Sequence, residues 1–126
     1  MTISEVADKY GITRDTLRYY ERIGLIPPVP RDAGGKRDYD EASCGWISMM
    51  KCFRRAGVQI DALIEYVALY RQGEDTADAR CAILMAQREK LASSIEEMQR
   101  SLRLLDKKIA YYTGGSDDAE ACCTCE

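Results

Sequence analysis

From Asp78 to Tyr112 the chain contains neither glycine nor proline, and its apolar residues return every seven positions. Leu84, Leu91, Met98, Leu105 and Tyr112 form one series, while Cys81, Ile95, Leu102 and Ile109 form a second, broken only by Arg88. A heptad pattern sustained this long specifies a helix, and at about 1.5 Å per residue that helix is on the order of 50 Å long. Such a helix cannot bury its own seam. The helical segments before it are too short to cover it, so a second copy of the chain is the simplest partner. A core helix packed inside one small domain is the competing reading. The 126 residues leave room for one domain, or for a small module carrying this extension.

Upstream, the sequence breaks into short helical pieces. Thr2-Ile3-Ser4-Glu5 has the form of a capping box, Ile3, Val6, Ala7 and Tyr10 follow at helical spacing, and Gly11 stops the run. Thr13 caps a second helix that passes through Leu17 and Tyr20 to Gly24. Two short helices joined by a glycine-containing turn outline a helix-turn-helix. Pro27 and Pro28 forbid continuation, and residues 29–39, VPRDAGGKRDY, suit two short strands around Ala33-Gly34-Gly35, a hairpin wing. Asp40 caps a third helix with an apolar stripe of Trp46, Ile47, Met50 and Phe53, ending near Gly57. A fourth, from about Asp61, carries Leu63, Ile64, Val67 and Tyr70 and closes at Gly73. After Gly114-Gly115 the residues SDDAEACCTCE are acidic and lack apolar periodicity. The expected divisions are therefore 1–73 as one domain, 78–112 as the long helix, and 113–126 as an acidic cysteine-containing tail.

The chain has no histidine, which removes Ser-His-Asp and Cys-His catalysis and every zinc site that needs imidazole. No enzymatic activity is expected. A net charge of −3 looks unfavourable for nucleic acid. Residues 1–58, however, hold ten Lys and Arg against eight Asp and Glu, a balance of +2, and the remainder carries −5. Arg14, Arg18 and Arg22 recur every four residues on the second helix, opposite Leu17 and Tyr20, with Tyr19 beside them. Arg31, Lys36 and Arg37 charge the wing, and Tyr39 closes its second strand. An Arg- and Tyr-bearing helix followed by a basic hairpin can meet phosphates from two directions. A solvated charged face, on a protein-interaction module that binds no DNA, is the other reading. The start of the chain has no secretory h-region, and no apolar run is long enough to span a bilayer, so a cytoplasmic protein is expected.

The stretch Ile12-Thr13-Arg14-Asp15-Thr16-Leu17-Arg18-Tyr19-Tyr20-Glu21-Arg22-Ile23-Gly24-Leu25-Ile26 resembles the N-terminal signature of the MerR family of bacterial transcription regulators. Arg37-Asp38-Tyr39, Phe53-Arg54-Arg55-Ala56-Gly57 and the long helix follow in the family's order. The resemblance implies a mainly α fold: a winged helix-turn-helix DNA-binding domain followed by a long dimerisation helix that forms an antiparallel coiled coil. It also implies a homodimer on a promoter whose hexamers are spaced too widely for RNA polymerase. The activated dimer would bend and untwist the spacer, at a deformation cost offset by phosphate contacts. By position, Arg14, Thr16 and Arg18 would face the groove, and Tyr19, Arg37, Tyr39 and Arg54 would clamp phosphates.

Six cysteines in a reducing compartment read as packing residues, sensors or soft-metal ligands. Cys52, in Met50-Lys51-Cys52-Phe53-Arg54-Arg55, is similar to the single sensor cysteine of the NmlR/AdhR branch, which responds to aldehydes, electrophiles or thiol stress. Lys51 adjoins it and Arg55 follows by one helical turn. The rival site is Cys122, Cys123 and Cys125, three sulfurs that could hold a soft thiophilic metal ion, with Cys81 assisting. Small-molecule binding is a further alternative. Cys44 and Cys81 otherwise read as packing, and no cofactor is expected if Cys52 is the sensor.

Overall fold

The computed structural model describes residues 1–114, and the candidate metal ligands Cys122, Cys123 and Cys125 lie outside the described residues. The chain divides into two compact units, Met1–Gln87 and a second that starts at Arg88. Five helices run in order: α1 Ile3–Tyr10, α2 Arg14–Ile23, α3 Glu41–Arg55, α4 Ile60–Gln72 and α5 Ala77–Tyr112, with a 3-10 turn at Glu74–Thr76 before the last. The protein is mainly helical, as expected.

Local signals explain the boundaries of the first three helices. Thr2 accepts from the Glu5 amide while Glu5 accepts from the Thr2 amide, closing the capping box of α1. Thr13 and Asp40 cap α2 and α3 by accepting from the amides of Thr16 and Ser43. Gly11 and Gly24 close α1 and α2 at φ 65° and 83°, a left-handed geometry that costs glycine no Cβ clash. The turn between α1 and α2 is thereby fixed by backbone chemistry at both ends.

The first unit has one apolar core. Val6 from α1, Leu17 from α2, Ile47 and Met50 from α3, and Leu63 and Val67 from α4 are buried together with Leu25, Ile26 and Val29. These are the inward positions of each amphipathic helix, and full burial of one such side chain stabilises the fold by about 1.5–3 kcal/mol. Lys51 on α3 donates to the carbonyl of Tyr10 at the end of α1. Gln87, buried on α5, accepts from the amide of Gln59, the residue before α4.

The wing departs from its expected form. Among the described residues there are no strands, only an isolated antiparallel bridge between Arg31 and Arg37. Asp32 is the reason: its Oδ1 accepts from the amides of Gly34 and Lys36, and its carbonyl accepts from Gly35, so the tip is a side-chain-stabilised turn. Pro30 contributes a carbonyl, to Asp38, but no donor. Too few amides remain to build a ladder.

Within the second unit, most of the heptad residues are exposed. Met98, Leu102, Leu105 and Ile109 are each more than half exposed, and Tyr112 is 75% exposed. No helix among the described residues is long and apolar enough to cross a membrane.

Candidate nucleic-acid interface

The α2 helix turns Leu17 fully into the core and packs Tyr20 against it, which leaves Arg14, Arg18, Tyr19 and Arg22 on the opposite, exposed side. The Arg18 guanidinium reaches Asp15 at 3.1 Å, an exposed pair of small worth that a phosphate can displace. Arg22 lies over the Tyr19 ring at 5.3 Å, so the two side chains present one cationic, flat-sided surface. The Thr16 hydroxyl is half-buried and hydrogen-bonded to that of Thr13 at 2.8 Å. Arg14, Thr16, Arg18 and Tyr19 therefore share the outer half of one helix.

The wing residues are anchored within the protein. Arg37 does not project freely: its Nε donates to Glu21 of α2 at 2.6 Å. Tyr39, expected to clamp phosphate, is 1% exposed and belongs to the core. Its ring gains more from apolar burial than an exposed position would give. Its hydroxyl is buried without a hydrogen-bond partner. Burial pushes the phenol above its ordinary value, opposed by Arg37, with Glu21, Arg18 and Arg31 also acting on it. The tyrosine thus sits under the cationic surface. Arg54, the other expected clamp, donates from Nη1 to the Val58 carbonyl at 2.7 Å, fastening the turn after α3.

Glu21 has a role that no local pattern in the sequence indicates. Both of its oxygens are used, Oε1 by Arg37 and Oε2 by the Val29 amide at 2.8 Å. Burial raises its pKa, but the hydrogen bonds from Arg37 and Val29 and the charges of Arg37 and Arg31 outweigh that effect, and the carboxyl lies below its usual value. The only signal in the sequence was an acid placed among arginines.

The cysteines sort by exposure. Cys44 is buried, as expected of a packing residue. Cys52, on the last turn of α3, is exposed, so it is not an ordinary core thiol. Cys81 is also exposed, against the expectation that it packs; it belongs to the heptad seam, which a single chain leaves uncovered. No group of three or more potential metal ligands occurs among the described residues.

Comparison with known proteins decides the family. The pattern described as MerR family regulatory protein matches residues 2–39. A solved structure from Listeria monocytogenes, described as a MerR family transcriptional regulator, is 46% identical, with a TM-score of 0.88 over 90% of this chain and 86% of that one. The chain belongs to the MerR family. This MerR regulator is also 53% identical over 91 residues to the HTH-type transcriptional regulator AdhR of Bacillus subtilis (strain 168), a match covering 72% of this chain and 65% of AdhR. HiNmlR, described as a MerR family regulator lacking the sensor domain and bound to promoter DNA, is 28% identical with a TM-score of 0.80, and the likeness covers 98% of each chain. These relatives are transcriptional regulators, not enzymes, and the present MerR protein is a DNA-binding transcriptional regulator like them.

Proposed function

We propose that this regulator binds a promoter as a homodimer paired through α5, remodels the DNA for RNA polymerase, and responds to thiol-reactive species at Cys52. The observation that carries the sensing part is the exposure of Cys52 on the last turn of α3. A thiol in that position can meet a dissolved electrophile without the core opening. Lys51 and Arg55 flank it in sequence. The likeness to AdhR supports an aldehyde as input. The thiolate sulfur would attack the aldehyde carbon, a C–S bond would form as the carbonyl π bond opens, and the oxygen would take a proton from water.

The uncovered seam of α5 supports the dimer, since Leu102, Leu105 and Ile109 expose apolar area that only another surface can remove from water. The DNA contact falls to Arg14, Thr16, Arg18 and Tyr19 on α2 and to the wing. The sensing proposal is tested by in-vitro transcription with aldehydes, oxidants and thiophilic metals. Cys52→Ser is expected to keep promoter binding and lose the aldehyde response. The reading fails if Cys52→Ser responds normally while removal of residues 119–126 abolishes the response, which would transfer sensing to Cys122, Cys123 and Cys125 and a soft metal ion.

A further inference from the structure

We infer that Glu21 is a positioning residue for DNA binding, holding the wing against α2 and aiming Arg37 at the phosphate backbone. The inference rests on DNA binding and not on the proposed thiol response.

An acid on the helix that carries Arg14, Arg18 and Arg22 would repel DNA unless its charge were engaged within the protein. Here it is fully engaged. The Glu21 side chain is 14% exposed and that of Arg37 25%. One oxygen holds the first arm of the wing through the Val29 amide, and the other holds the second arm through Arg37 Nε. The carboxylate therefore ties both arms to α2, in a wing whose backbone pairing is a single bridge.

The choice of guanidinium nitrogen matters. Arg37 gives its Nε to Glu21, and the planar fork then carries both terminal amino groups away from Nε, free to take a phosphate in bidentate fashion. The charges of Arg18 and Arg31 also act at this site. One anionic oxygen placed at the Arg37 fork would meet two parallel cationic donors. Glu21 fixes the direction of that approach while adding no uncompensated charge.

The test uses a duplex selected for binding from a randomised pool, synthesised with a neutral methylphosphonate at one backbone position at a time. In the unaltered protein, neutralising a wing-contacted phosphate is expected to weaken binding about fivefold, the scale of one lost phosphate contact. In Glu21→Gln those same positions are expected to become insensitive, while positions contacted by α2 keep their full effect. Arg37→Lys, which retains the charge but loses the fork, is expected to reproduce the pattern. Thermal melting of each variant accompanies the binding data. If Glu21→Gln binds as tightly as the unaltered protein with every position still sensitive, the inference is overturned. It is equally overturned if all positions lose sensitivity alike along with the melting temperature, because Glu21 would then support only the fold.

Discussion

Glu21 ties acidity to stability in a direction that can be stated. Its carboxyl lies below the ordinary glutamate value in the folded protein, so its ionised form is favoured by folding. The contribution is complete above the unfolded value and is lost as pH falls through the lowered folded value. Melting temperature measured through the acid range is expected to fall for the unaltered protein, and to fall less steeply for Glu21→Gln, which has no charge to lose. The cysteines teach a related lesson at the same scale. Cys44 and Cys52 sit eight residues apart on one helix, and only the former is buried. Exposure separates a packing thiol from one that can react, and iodoacetamide mapped by mass spectrometry is expected to label Cys52 before Cys44.

Among the elements, the turn between α3 and α4 carries a bonded route from the end of α3, where Cys52 lies, to the long helix. Arg54 holds the Val58 carbonyl, the Val58 amide donates to the Phe53 carbonyl, and the next residue, Gln59, donates to Gln87 of α5. Gln87→Ala is expected to cost about 1 kcal/mol in denaturant unfolding, the usual net worth of one such hydrogen bond. If this route conveys the state of Cys52, the same variant binds promoter DNA but responds weakly to aldehyde. The helices were legible because caps and periodicity are local: Thr2, Thr13 and Asp40 accept where the sequence places them. The start of α4 was less clear, because Gln59 makes no side-chain cap. The wing and its site were less legible still. Strand preference over residues 29–39 does not register Asp32 taking the amides that a ladder needs. The Glu21–Arg37 pair spans sixteen residues of sequence, beyond the reach of any local pattern, and the burial of Tyr39 depends on the core that forms beneath it.

For the molecule as a whole, the apolar seam of α5 makes association the expected fate of a folded chain. Leu102→Glu combined with Leu105→Glu places charge on that seam, and sedimentation is expected to show monomers where the unaltered protein gives dimers. Binding to a palindromic duplex is expected to fall at least tenfold, since the two DNA-binding units would no longer be linked. Under the pairing proposed for α5, cellular abundance becomes an input. Below the pairing constant, the number of paired molecules grows with the square of the number synthesised. A twofold drop in expression then removes three-quarters of the species able to occupy a two-fold site. Under the pairing proposed for α5, the promoter would therefore answer to the rate at which the regulator is made as well as to the state of its thiol.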